Sequence, residues 1–120
     1  MNTILITGAS SGFGLETARY FLDRDWSVIA TMREPRADVL PASERLRVLA
    51  LDVTNAASIA RAVEAAGPID ALVNNAGAGL MGALEGVSMD AVRQLFELNT
   101  FGTMAMTQAV LPGFRAQGAG

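Results

Sequence analysis

Apolar residues along the chain form two kinds of run, and the two kinds alternate. Ile4-Leu5-Ile6, Val28-Ile29-Ala30, Val48-Leu49-Ala50-Leu51 and Leu72-Val73 are continuously apolar, as strands covered on both faces are. They predict strands at Ile4 to Ile6, Ser27 to Met32, Leu46 to Leu51 and Ala71 to Val73. Elsewhere the apolar positions recur at helical spacing. Leu15, Ala18 and Leu22, with Phe21 beside them, predict a helix after the first strand. A second is expected over Ala56 to Ala66, with Thr54 or Asn55 as cap and Gly67-Pro68 as stop. Ser88, with Asp90 in the first turn, opens a third, on which Arg93 and Glu97 stand as an i,i+4 pair. A long last helix is expected from about Thr100 to a stop near Gly118, with Pro112 placed to kink it.

Alternation of strand and helix argues for parallel β/α architecture. The segment Glu34 to Arg45, with Pro35, Pro41 and mixed charge, reads as a surface connection. Four strands in this order resemble the first half of a doubly wound parallel sheet, spatial order 3-2-1-4, with helices on both faces. No fifth strand follows within the 120 residues, so an apolar sheet edge is expected to stand open. That edge, or the last helix, is the expected surface for association between copies. On this reading residues 1–120 are part of a domain.

Between the first strand and the first helix lies Thr7-Gly8-Ala9-Ser10-Ser11-Gly12-Phe13-Gly14. Strand, glycine turn and helix together make a nucleotide-binding hypothesis. Gly8 permits the tight turn, Gly12 lets backbone approach a pyrophosphate, and Gly14 lets the helix pack close to the sheet. The N–H groups from Ser11 to Gly14 then sit at a helix N-terminus, where anions are favoured. Taken alone, three glycines also suit a plain structural turn.

Composition narrows the classes. Hydrophobic residues make up 51% of the chain and mean hydropathy is +0.32, which fits a sheet buried on both faces or a surface that takes a partner. Net charge is −3 and there is no lysine, which disfavours nucleic acid as a partner. Without cysteine or histidine the usual zinc ligands are missing, and no metal site is expected. The lack of cysteine and the early glycine turn, which leaves no room for a signal peptide, make a cytoplasmic protein the expectation. The longest apolar stretch, Leu98 to Phe114, is interrupted by Asn99, Thr100, Thr103, Thr107, Gln108 and Pro112, so no membrane span is expected.

With the strands placed, four motifs stand in order. Thr7-Gly8-x-x-x-Gly12-x-Gly14 follows the first strand, Asp52-Val53 the third, Asn74-Asn75-Ala76-Gly77 the fourth, and Asn99 lies between two helices. In order and spacing they resemble the short-chain dehydrogenase/reductase family, over essentially the whole chain. The resemblance implies a Rossmann-like fold that binds NAD(P). It implies that Gly8, Gly12, Phe13 and Gly14 cradle the pyrophosphate, with Ser10 or Ser11 adding a hydroxyl. Asp52 would accept from the adenine amino group beside the Val53 backbone. Asn75, Ala76 and Gly77 would line the adenosine side and the nicotinamide ribose, while Asn74 would bridge strands through its amide. Read alone, Asp52 also suits a helix cap, and Asn74 to Gly77 a simple strand-to-helix turn.

Cofactor choice turns on the end of the second strand, Ala30-Thr31-Met32-Arg33. No carboxylate stands at Thr31 or Met32 to read a ribose 2′-hydroxyl, and Arg33 offers a fork suited to a 2′-phosphate. NADP(H) is favoured over NAD(H), although Glu34 keeps NAD open and Arg33 alone could be a solvated loop residue. The family's chemistry is hydride transfer between nicotinamide and a small carbonyl or alcohol substrate. It uses a serine, a tyrosine and a lysine four residues after the tyrosine, with an asparagine supporting a water-mediated proton path. Asn99 alone answers to that set. The one tyrosine, Tyr20, precedes Arg24 rather than a lysine, and reads as packing on a half-buried helical face. Met104 and Met106 read as core or interface. The resemblance therefore points to the cofactor-binding portion of an NADP-dependent oxidoreductase, truncated before its catalytic strand and helix and inactive alone. The alternative is a non-catalytic dinucleotide-binding or dimerisation module.

Overall fold

The computed structural model describes residues 1–120. Four strands, β1 (Thr3–Ile6), β2 (Ser27–Met32), β3 (Leu46–Ala50) and β4 (Ala71–Val73), form one parallel sheet in the order β3-β2-β1-β4. The helices are α1 (Gly12–Leu22), α2 (Ala56–Ala66), α3 (Met89–Phe96) and α4 (Gly102–Gln117). This is the Rossmann-like order expected from the apolar runs. The third strand ends one residue early, at Ala50, yet the Leu51 N–H still donates to the Met32 carbonyl at 3.0 Å.

Why the strands are continuously apolar is visible in the packing. Ile4, Ile6, Val28, Ala30 and Met32 belong to a core under α1, built with Ala18 and Leu22. Leu5 and Ile29, one residue out of phase, belong to a second core with Ile59, Ala62 and Ala66 of α2 and Met106 and Val110 of α4. Successive strand residues face opposite sides, so both parities must be apolar. Burying each of the larger of these side chains, the valines, leucines, isoleucines and methionines, contributes about 1.5–3 kcal/mol.

Local chemistry sets the helix ends. Asn55, rather than Thr54, caps α2, its Oδ1 accepting from the Ser58 N–H at 3.0 Å, and Gly67 closes it at φ +68°. Ser88 Oγ caps α3 by accepting from the Ala91 N–H at 3.1 Å. Gly118, left-handed at φ +73°, ends α4, which runs through Pro112 to Gln117.

Two expectations on this side of the molecule are corrected. Asn99 does not lie in a connection between separate helices. A π turn, Glu97–Phe101, joins α3 to α4 in one helical path, and α4 begins at Gly102 rather than Thr100. No glycine or proline stands between Phe96 and Phe101 to stop a helix. The Arg93–Glu97 pair does not form. Arg93 reaches back to Asp90 at 3.6 Å, and for such exposed groups either pairing contributes little.

Candidate functional site

A groove of about 900 Å³ opens at the C-terminal ends of the strands, where ligands bind in open α/β sheets. Of the residues expected in a site, Gly8, Ser10, Ser11, Phe13, Arg33, Asp52, Val53, Asn75, Ala76 and Gly77 line it. Gly12, Gly14 and Asn99 do not. Gly14 is buried behind the turn, and Gly12 belongs to the first turn of α1.

The glycine turn forms one wall. Gly8 is left-handed at φ +66°, and a Cβ there would come within 2.9 Å of Ala76 Cα. A Cβ on Gly14 would collide with the Gly8 carbonyl oxygen. These two glycines bring the start of α1 hard against the end of β1 and the turn after β4. Ser11, extended at φ −161°, precedes α1 without a side-chain cap. The N–H groups of Ser11, Gly12, Phe13 and Gly14 donate to no protein acceptor, so the positive end of α1 has donors free for an anion. Phe13 stands beside them, 88% exposed.

Thr7, buried at the end of β1, fixes the second wall. Its hydroxyl accepts from the N–H groups of Asn75 and Ala76, each at 2.9 Å. Asn75 Nδ2 donates in turn to the carbonyls of Thr7 and Gly8, at 3.1 and 3.0 Å. The bridging amide expected of Asn74 therefore belongs to Asn75. Asn74 turns the other way and donates to Thr107 Oγ1 on α4 at 3.0 Å.

Asp52 forms the rim after β3. The Thr54 N–H and hydroxyl both donate to its Oδ1, at 2.9 and 2.6 Å, leaving Oδ2 without a protein donor. These two bonds, with a weaker pull from Arg33, hold its carboxyl below the usual carboxylate range. Ser58 Oγ accepts from the Asp52 N–H at 2.9 Å. The helix cap that Asp52 could have been is Asn55. Arg33 is exposed at the groove's edge, at the end of β2.

Asn99 stands outside the groove, its amide committed to Ala78. Nδ2 donates to the Ala78 carbonyl at 2.7 Å, and Oδ1 accepts from the Ala78 N–H at 2.9 Å. Tyr20 is not a groove residue either. It is 52% exposed on α1, with its ring edge-on to Phe21 and the Arg24 guanidinium 3.5 Å above it. Met106 is fully buried and Met104 exposed. Sequence reasoning missed Thr54, Gln94, Glu97 and Leu98 as groove-lining residues. The 94, 97, 98 spacing on one helical face was the available signal. No cluster of metal-ligating side chains is present, and no helix is long and apolar enough to cross a membrane.

Comparison with known proteins agrees with this fold. The family model described as short chain dehydrogenase matches residues 2–120. An uncharacterized oxidoreductase of Bacillus subtilis, YusZ, is 46% identical over 95% of this chain and 44% of its own length. Human retinol dehydrogenase 8 is 40% identical over 98% of this chain and 42% of its own. Among solved structures, a short-chain dehydrogenase from Streptomyces avermitilis superposes with a TM-score of 0.88 at 39% identity, covering 100% of this chain and 48% of that one. A 3-ketoacyl-(acyl-carrier-protein) reductase from Brucella melitensis, complexed with NADH, gives 0.89 at 30% identity, over 98% of this chain and 52% of that one. The chain spans under half the length of these two curated relatives.

Proposed function

Because the chain belongs to the short-chain dehydrogenase family, we propose that residues 1–120 are the dinucleotide-binding portion of an NADP-dependent oxidoreductase acting on a carbonyl or alcohol. The observation that carries this reading is the meeting, in one groove, of free N–H donors at the start of α1, the Asn75–Gly77 turn and the Asp52 carboxylate. The cofactor, when bound, supplies or accepts the hydride.

The chain's own residues bind and orient it. Gly8, Ser10, Ser11, Gly12, Phe13 and Gly14 hold the pyrophosphate, chiefly through backbone. Asp52 Oδ2 accepts from the adenine amino group beside Val53. Asn75, Ala76 and Gly77 support the adenosine and the nicotinamide ribose. Arg33 pairs with a 2′-phosphate, which a planar guanidinium can bind in bidentate fashion. Asn99 supports the nicotinamide side by holding Ala78. We place the proton-transferring groups and the substrate pocket outside these residues, since the chain has no lysine and Tyr20 lies away from the groove. The 120 residues alone are expected to bind NADPH without turnover.

Titrating the full-length protein with NADPH and NADH by nicotinamide fluorescence tests the site, and NADPH oxidation with a panel of ketones and aldehydes tests the activity. Tighter binding of NADPH with carbonyl-dependent oxidation is expected. Tighter binding of NADH overturns the cofactor assignment, and binding of neither overturns the whole reading. A second reading is a non-catalytic dinucleotide-binding or dimerisation module. The exposed Phe96, Phe101 and Met104 favour it, and it predicts a dimer that binds NADPH but oxidises it with no carbonyl compound.

A further inference from the structure

The segment from Asn74 to Ala78 is tied at both ends to the continuous helical path of α3 and α4. At one end Asn74 Nδ2 donates to Thr107 Oγ1 at 3.0 Å. At the other, Asn99 exchanges its two bonds with Ala78 at 2.7 and 2.9 Å. The helical anchors stand about two turns apart. Between the tied ends lie Asn75, Ala76 and Gly77, all of them groove residues.

The polarity of the Thr107 bond is fixed by its neighbours. Its O–H donates to the Thr103 carbonyl at 2.8 Å, so oxygen lone pairs are what it offers Asn74. The Thr103 hydroxyl donates to the Asn99 carbonyl at 2.9 Å. One chain of hydrogen bonds thus runs from Asn74 through Thr107 and Thr103 to Asn99, and back to Ala78. On its inner side the same segment is held by the Thr7 hydroxyl. The Asn74–Thr107 bond lies at the surface, with Asn74 exposed and Thr107 only half-buried, so it adds little to the packing that stabilises the sheet.

We infer that Thr107, on α4 and outside the groove, is a positioning residue for the cofactor turn: through Asn74 its hydroxyl holds Asn75–Gly77 at a set distance from the glycine turn. The inference rests on the dinucleotide reading of the groove. Valine keeps the branched shape of threonine and removes the hydroxyl, whereas serine keeps the hydroxyl.

The test is T107V and T107S in the full-length protein, read by NADPH titration, by the KM for NADPH against kcat, and by amide exchange at Asn75, Ala76 and Ala78. One lost neutral hydrogen bond predicts that T107V weakens NADPH binding and raises its KM about three- to tenfold. Exchange at the three amides should quicken, with kcat at saturating NADPH and the melting temperature little changed. T107S should restore wild-type behaviour. If T107V binds NADPH as tightly as wild type, or T107S fails like T107V, the inference is overturned while the dinucleotide reading stands. If wild type itself binds no dinucleotide, that reading falls and this inference with it.

Discussion

Thr7 and Asn75 hold each other through both main chain and side chain. The Asn75 N–H donates to Thr7 Oγ1 at 2.9 Å, and Asn75 Nδ2 donates to the Thr7 carbonyl at 3.1 Å. The same hydroxyl accepts from the Ala76 N–H, and its own O–H points to the Val73 carbonyl at 3.4 Å. A hydroxyl has one donor and two acceptor positions, so Thr7 is fully used. Through it the end of β1 fixes both the glycine turn and the turn after β4.

Thr7→Val should therefore cost more than its small change in shape suggests. It removes the acceptor for two N–H groups, each of which costs about 1–3 kcal/mol if left unpaired away from water. We expect a lower urea midpoint and weaker NADPH binding together, with Thr7→Ser close to wild type in both. A Thr7→Val protein with an unchanged midpoint would show that water replaces the hydroxyl without loss.

The last two glycines of the turn, Gly12 and Gly14, should respond differently to alanine. Gly14→Ala places a Cβ on the Gly8 carbonyl oxygen, in backbone that cannot swing aside. Gly12→Ala meets no atom within 4 Å, and its cost is only that of a left-handed residue at φ +58°, about 1–2 kcal/mol. Thermal melts should rank Gly14→Ala well below Gly12→Ala. Equal melting temperatures would contradict the close approach of α1 to the glycine turn.

Several of these relationships could not be read locally. The strands were legible because a sheet covered on both faces needs apolar residues at every position, as Ile4-Leu5-Ile6 shows. Gly8 and Gly14 were legible because contacts that exclude a Cβ leave a spacing pattern. The partnership of Thr7 with Asn75 spans 68 residues and leaves none. Nor could sequence decide which adjacent asparagine faces which way. Neighbouring side chains of extended backbone point to opposite sides, so Asn75 meets the glycine turn and Asn74 meets α4. The π turn at Glu97–Phe101 had no glycine or proline to announce it, and with it went the groove roles of Gln94 and Glu97.

Asp52 links the site to pH. Its folded-state pKa lies below 3.8, its ordinary value, chiefly because Thr54 donates two hydrogen bonds to the charged form. A depressed carboxylate contributes stability that is fully present above the unfolded-state value and is lost as pH falls through the folded-state one. The Asp52–Thr54 contribution should therefore be intact at neutral pH and disappear only below pH 3.8. Thr54→Val removes the shorter of the two bonds. Carboxyl NMR titration should then show the Asp52 pKa move up towards its ordinary value. An unmoved pKa would assign the depression to the Thr54 N–H bond, which the variant keeps, together with Arg33.

Arg33 is where cofactor choice should be decided. It stands exposed at the end of β2 on the edge of the groove, and Thr31, which precedes it by two residues, has its hydroxyl committed to the Ile6 carbonyl at 2.9 Å. No carboxylate on β2 competes for a ribose hydroxyl, and the charge of Arg33 reaches the rim carboxylate, lowering the Asp52 pKa slightly. A guanidinium gains a bidentate, charge-assisted contact from a 2′-phosphate that a 2′-hydroxyl cannot supply. Losing such a contact should cost about 1.5–3 kcal/mol, roughly tenfold or more in affinity. Arg33→Asp should therefore weaken NADPH by at least that factor and leave NADH equal or tighter, since a carboxylate accepts from the ribose hydroxyl and repels the phosphate. Fluorescence titrations of both dinucleotides read the ratio directly. If the ratio is unchanged in the variant, the 2′ position is read elsewhere, and Glu34, the next residue, is the first group to substitute.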